Sequence, residues 1–331
     1  MDNPINLKKY VPIAIGIIIS IISIIWIARN FNFADIVSSL LSADYGYLIP
    51  VIWLIVLSFA LRSFRWGLLF IGPKKPSNTS LFTSLMIGYL GNNILPARAG
   101  ELARIYVLNK QEGISKSFTL ATVVVERTCD LLMALTLLSF VLLLFPFPKW
   151  LQNAGALVSA ITLVAFVFII ILNFKGEPMV TLLVKKMSFL PKHWLDTINH
   201  IGIEFIIGLS GLRKNQKILS FLSLTTLIWA MELGILLCMA WAFYIPVTLS
   251  GILFVMIVTG LSTIIPSSPG YIGTYEFFTL AALSLIGITG NAALSFAIAT
   301  HVITLIMSSI IGVICVIYTG VKITTFTVKD N

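Results

Sequence analysis

The sequence predicts an all-α integral membrane protein with about six spanning helices and two re-entrant broken-helix hairpins in an inverted repeat, its N- and C-termini cytoplasmic. Three observations carry that prediction. The 331 residues are 58% hydrophobic and only 11% charged, where a soluble domain carries roughly a quarter. Stretches 11–28 and 131–148 hold no Asp, Glu, Lys or Arg, and 233–321 holds only Glu276. A run of about 18 apolar residues is enough to cross the bilayer core as a helix. Two further apolar segments are interrupted in their middles by Pro and Gly.

Taken in order, the spans fall near 11–28, 46–71, 117–145, 154–173, 218–243 and 291–320 of a single membrane domain, 1–331. No small-residue cleavage site follows the first apolar run, so it reads as a retained helix. Segment 79–108 breaks at Asn92-Asn93-Ile94-Leu95-Pro96-Ala97-Arg98-Ala99-Gly100, and 249–287 at Ile264-Ile265-Pro266-Ser267-Ser268-Pro269-Gly270-Tyr271-Ile272-Gly273. Pro removes a backbone donor and Gly relaxes the chain at a bend. Such breaks persist at membrane depth only where protein or a water-filled cavity satisfies the freed backbone. Each segment is therefore expected to be a hairpin, shaped by Asn92, Pro96 and Gly100 in the first and by Pro266, Pro269, Gly270 and Gly273 in the second.

Charge counting sets the orientation. With the N-terminus inside, segments 1–10, 72–78, 109–116, 174–217 and 321–331 hold fifteen Lys and Arg, and the outer segments hold two, Arg29 and Lys149. This asymmetry fits the positive-inside rule, and it requires both broken segments to return to the side they entered from. The breaks also resemble each other. Ile94-Leu95-Pro96 with Gly100 matches Ile264-Ile265-Pro266 with Gly270 at an offset of 170, which also relates Arg62 to Glu232. The halves, 11–145 and 154–320, thus read as inverted repeats of three spans each.

The net charge of +9 reports cytoplasmic loops and anionic lipid rather than nucleic acid. Cys129, Cys238 and Cys315 stand far apart, which suggests no zinc site and no disulfide framework. No cofactor or metal is expected. In 174–217, Trp194, Leu195, Ile198, Ile201, Phe205, Ile206 and Leu209 share a helical face just after Lys185, Lys186 and Lys192. Amphipathic helices on the inner leaflet and helices packed on the bundle both fit that pattern.

Ten charged residues fall within spans or hairpins: Arg62, Arg65, Arg98, Glu101, Arg104, Glu126, Arg127, Asp130, Glu232 and Glu276. Each costs about 2.5–3.5 kcal/mol at the bilayer centre, so such groups persist when paired or when they face a cavity. One reading is a polar cavity lined by arginines, whose planar forks suit phosphate. The half-helix after Gly100 would aim its N-terminus at the same anion. The competing reading is a set of buried ion pairs that only fixes helix register. Arg65 could simply snorkel toward the cytoplasmic interface near Trp66. Glu276 opens a half-helix, where a carboxylate acts either as a cap or as a proton- or cation-responsive group. His301 reads as a satisfied core residue. Tyr271 and Tyr275 face either a headgroup or the interface.

At these motifs the chain resembles a known family. Gly88-Tyr89-Leu90-Gly91-Asn92-Asn93-Ile94-Leu95-Pro96-Ala97-Arg98-Ala99-Gly100-Glu101 resembles its first signature. Glu126-Arg127-Thr128-Cys129-Asp130 resembles its E-R-x-x-D element, and 266–276 its P-x-x-P-G-x-x-G-x-x-E element. The family is the lysylphosphatidylglycerol synthase transmembrane region, also called flippase-like. The resemblance implies lipid handling. In bifunctional relatives this region moves aminoacylated phosphatidylglycerol between leaflets, beside a soluble aminoacyltransferase domain. The present sequence shows neither that domain nor a glycosyltransferase domain, and the expectation is a non-enzyme.

The expected function is translocation of an anionic or aminoacylated lipid, or of a lipid-linked headgroup, in a bacterial or archaeal plasma membrane. Arg62, Arg98, Arg104 and Arg127 would hold phosphate. Glu101, Glu126, Asp130 and Glu276 would position those arginines or a cationic headgroup, with Tyr271 alongside. Two alternatives stay open: a membrane enzyme acting on a polyprenyl-phosphate or lipid substrate, and a non-transporting accessory of such an enzyme. Membrane lipid is the expected partner, with a homo-oligomer or a membrane enzyme admitted.

Overall fold

A computed structural model describes residues 7–70, 75–95, 99–187, 191–209, 215–265 and 267–321. Pro96, Arg98 and Pro266 lie outside the described residues, as do both chain ends. The described residues form α-helices and two short 3-10 turns, with no strand among them. In order the helices are α1 (Leu7–Asn30), α2 (Phe33–Leu41), α3 (Leu48–Gly67), α4 (Asn78–Ile94), α5 (Gly100–Glu112), α6 (Lys116–Leu144) and α7 (Lys149–Lys175). They continue as α8 (Glu177–Lys186), α9 (Lys192–Leu209), α10 (Asn215–Ala242), α11 (Leu249–Ser262), α12 (Thr274–Leu285) and α13 (Asn291–Thr319).

Four of these are long and apolar enough to cross a membrane: Tyr45–Gly67, Lys149–Ile169, Lys217–Ala242 and Asn291–Thr319. Gly16–Ile27 and Leu249–Ser262 are shorter apolar helices. The expected span at 117–145 is the 29-residue α6, whose interior carries Glu126, Arg127 and Asp130. Both interrupted segments are interrupted in the structure: α4 ends at Ile94 and α5 begins at Gly100, while α11 and α12 are separated by 263–273. The sequence reading has no element between the first two spans. The structure forms α2 there, opened by the Asn32 side chain, which accepts from the Ala34 N–H at 3.0 Å.

By packing the chain falls into two compact units. The first comprises Met1–Phe59, Thr83–Arg104 and Trp229–Asn331. Within it α12 packs on α1, α11 and α13, and α2 packs on α13. Ser295 donates to the Ile36 carbonyl at 3.3 Å, and Asn291 to Asp35 at 3.2 Å. Gly312 brings α13 onto α4, because a Cβ there would stand 2.6 Å from Leu90 Cβ. The outer side of α13 exposes Val302, Ile306, Ile310, Val313 and Ile317.

The second unit comprises Ala60–Phe82 and Ile105–Ile228. Here α6 packs on α7 and α9, and α8 on α9. Its core gathers Trp66, Leu69, Phe70, Leu81, Leu108, Val125 and Phe221. The buried Trp66 indole donates to Thr122 at 3.0 Å, which satisfies its one polar atom. Helix α9 seats Gly208 against the Ala121 carbonyl of α6, and Gly202 against Val180 of α8. The apolar face read at 194–209 is therefore divided. Ile206 is buried, while Trp194 and Ile201 remain exposed. On α7, Ile161, Leu163, Val164, Phe166 and Val167 are exposed. Contiguous apolar surface of this kind marks a membrane-facing exterior.

Candidate functional site

The charged residues of α6 meet the last turn of α3 inside the second unit. Arg65 is fully buried and turns its fork onto Asp130, Nη1 to Oδ1 at 2.5 Å and Nη2 to Oδ2 at 3.0 Å. Nη2 also reaches Glu126 Oε1 at 3.4 Å, and Nη1 donates to Thr225 Oγ1 of α10 at 3.2 Å. The guanidinium carbon sits 5.3 Å from the centre of the Phe221 ring. Glu126 and Asp130 lie one helical turn apart, so a single face of α6 presents both carboxylates to one cation. Arg65 does not snorkel to the interface: the buried Glu126 and the half-buried Asp130 hold it inside the unit. Arg127 Nη1 stands 3.7 Å from Asp130 Oδ2, with a third of its side chain exposed. Arg62, one turn before Arg65, is half-buried.

The two breaks belong to the first unit and lie against each other. The Asn93 carbonyl oxygen is 3.5 Å from where a Cβ on Gly270 would stand. Asn93 Nδ2 donates to Ser308 and Ser309 of α13, both at 2.9 Å. In the first break, the closest approach is made by glycine. A Cβ on Gly100 would overlap the Gly88 carbonyl oxygen and crowd Asn92, and one on Gly91 would come 2.7 Å from Gly100 Cα. Arg104 is 1% exposed and stands 3.9 Å from Glu101. Replacing Asn93 by Ala removes the amide's hydrogen bonds to Ser308, Ser309 and the Leu305 carbonyl from a half-buried site. Thermal unfolding in detergent should show a loss of about 1–2 kcal/mol.

The second break turns through left-handed backbone at Gly270 (φ 66), Tyr271 (φ 61) and Gly273 (φ 87). Glu276 closes it, since its Oε2 accepts the Gly273 N–H at 2.7 Å and so satisfies the N-cap donor of α12. Its Oε1 lies 2.6 Å from His301 Nδ1 on α13. The Tyr275 ring stacks on the imidazole, centroids 4.2 Å apart and planes at 15°. In the same unit Ser58 donates to Glu232 at 3.1 Å. A side chain on Gly273 would strike α1, because its Cβ would stand 2.8 Å from the Ser20 carbonyl oxygen.

The structure thus brings Glu126, Arg127 and Asp130 together around Arg65, and places Glu101 beside Arg104. Glu276 is held by His301 and its own cap. Tyr271 is half-buried in the second break. Sequence reasoning set Arg65 aside, assigned no role to Asn93 and did not link His301 to Glu276. The first had a signal in its i, i+3 spacing from Arg62, and the second in its place beside the break. Nothing in the sequence joins His301 to Glu276. Among the described residues, no three His, Cys, Asp or Glu side chains gather closely enough to hold a metal ion.

An apolar exterior around charge-bearing helices defines a polytopic helical membrane protein. Residues 13–312 match the lysylphosphatidylglycerol synthase TM region, and the chain belongs to that family. It is 23% identical to glycosyltransferase AglD of Haloferax volcanii over 97% of its own length, but spans only 56% of that protein. It is 24% identical to a UPF0104 membrane protein of Methanothermobacter thermautotrophicus, covering 93% of this chain and 95% of the relative. A UPF0104 membrane protein of Methanocaldococcus jannaschii is 25% identical, with 91% and 93% covered.

Proposed function

We propose that this chain translocates a lipid with an anionic or aminoacylated headgroup, or a lipid-linked headgroup, between the leaflets of a cell membrane. The observation that carries the reading is the meeting of two interrupted helices at Asn93 and Gly270, in a family of lipid-related membrane regions. Discontinuous helices that face each other are the architecture by which secondary transporters build a midplane site. On this reading segments 79–108 and 249–287 are re-entrant hairpins of inverted repeats. Arg62, Arg98, Arg104 and Arg127 hold the phosphate, with Glu101 and Tyr271 alongside. Arg65, Glu126 and Asp130 form a scaffold within the second unit, since the Arg65 guanidinium is already taken by the two carboxylates.

The test is leaflet exchange of fluorescent phosphatidylglycerol and its lysyl ester in vesicles containing the purified protein. Acceleration over empty vesicles is expected, and Arg104→Ala should lower the rate by about tenfold or more through loss of a charge-assisted contact. No acceleration with either lipid sinks the reading. A second reading is favoured by the relative named as a glycosyltransferase. In it the chain acts on a polyprenyl-phosphate substrate, or supports an enzyme that does, as a partner in the membrane. A new lipid product detected by mass spectrometry, or a co-purifying enzyme, would select it.

A further inference from the structure

We propose that Glu276 and His301 form a proton-binding site built into the second break, through which proton movement drives the translocation step. The coupling rests on the lipid-moving reading above, whereas the proton site stands on its own geometry. A carboxylate oxygen and an imidazole nitrogen 2.6 Å apart require a proton between them. Both residues are buried, at 8% and 6% exposure. With a neutral ring, Nδ1–H donates to Oε1 and the pair carries one negative charge. A second proton, on Nε2, makes an imidazolium–carboxylate pair with no net charge. In an apolar interior, ionisable groups that change charge together in this way are the parts from which proton relays are built.

Few titratable groups stand on the elements packed against the pair. Helix α12 is packed by α1, α11 and α13. Among the described side chains of α1 the only titratable one is Arg29, in the exposed last turn after Trp26, which packs on Phe277, and α11 has none. On α13 the others are Cys315 and Tyr318, more than three turns on. On α12 itself stands Tyr275, whose ring offers its π face to an imidazolium. Glu232 of α10 is near enough to act electrostatically on Tyr275.

The link to movement is the other carboxylate oxygen. Oε2 pins the Gly273 N–H at a residue in left-handed backbone, three positions from Gly270, where a Cβ would stand 3.5 Å from the Asn93 carbonyl oxygen of the first break. A proton on Nε2 makes the Nδ1–H an imidazolium donor, which draws carboxylate charge toward Oε1 and weakens Oε2 as the acceptor that fixes the bend.

The chain has three histidines, so His193→Gln with His200→Gln leaves His301 as the only one. With ¹⁵N-labelled histidine, the full chain in phosphatidylglycerol vesicles is scanned by solid-state NMR from about pH 8 to about pH 5. The His301 ring is expected to change protonation state, with a midpoint that moves on Glu276→Gln. Gln at this position keeps the cap acceptor, so that variant changes charge without removing the bend. A ring locked in one state, or a midpoint indifferent to Glu276→Gln, overturns the proton site. In the same vesicles an imposed gradient of one pH unit should bias the leaflet distribution of fluorescent phosphatidylglycerol by up to about tenfold for one proton per lipid. His301→Gln should abolish that bias. Lipid movement that ignores the gradient while His301 titrates overturns the coupling. No lipid movement at all, with His301 titrating, sinks the translocation reading and leaves the proton site standing.

Discussion

Arg65→Ala is expected to be the most damaging substitution in the second unit, with a loss of about 3–5 kcal/mol, because it strands buried carboxylates without their cation. Glu126 is fully buried and Asp130 is 16% exposed, and both turn toward the same guanidinium. Arg65→Lys should rescue little. An ammonium is a point donor and cannot span both Asp130 oxygens as the fork does. The decisive comparison is the triple variant Arg65→Met, Glu126→Gln, Asp130→Asn. It removes all three charges together and should recover most of the loss, since the penalty comes from an unmatched charge rather than from a missing attraction. Thermal unfolding in detergent, followed by size-exclusion recovery, measures each variant. A single Arg65→Ala that unfolds like the parent, or a triple variant no better than the single, would falsify this account.

Gly100→Ala is expected to disrupt the first break outright. One methyl group would have to occupy space already held by the Gly88 carbonyl oxygen and by Asn92. The obstacle is backbone, which cannot swing aside as a side-chain tip can. Overpacking of this kind costs about 1–3 kcal/mol where neighbours yield, and more where they do not. Gly287→Ala is a useful contrast, since no atom lies within 4 Å of a Cβ there, although its φ of 82 favours glycine. Its cost is confined to backbone strain, about 1–2 kcal/mol. Unfolding temperatures of the two variants separate steric exclusion from conformational preference. Equal losses would mean that the crossing of α4 and α5 is looser than these distances require.

The apolar runs and the two Pro/Gly breaks were legible because lipid imposes length and backbone satisfaction directly on sequence. The six expected spans coincide with helices α1, α3, α6, α7, α10 and α13, of which α3, α7, α10 and α13 carry the four stretches long and apolar enough to cross a membrane. The residues near the breaks were legible for the same reason, since charge inside an apolar run is conspicuous. What escaped was partnership. Arg65 pairs with groups 61 and 65 positions away, and Glu276 with one 25 positions on. Helical spacing tells which residues share a face but not which face meets it. Helix α2 escaped for another reason. Its nine residues are too short to span, and it is held by α13, some 260 positions away.

The Arg65 cluster also bears on how the chain is made. Helix α3 leaves the ribosome carrying Arg62 and Arg65 while α6 is still unsynthesised, and Thr225 of α10 follows 160 residues behind Arg65. During that interval Arg65 has neither Glu126 nor Asp130. An arginine in the last turn of a helix can wait at the lipid headgroups and be drawn inward when α6 arrives. On that account the final depth of α3 is set after its insertion, by a helix that enters the membrane later.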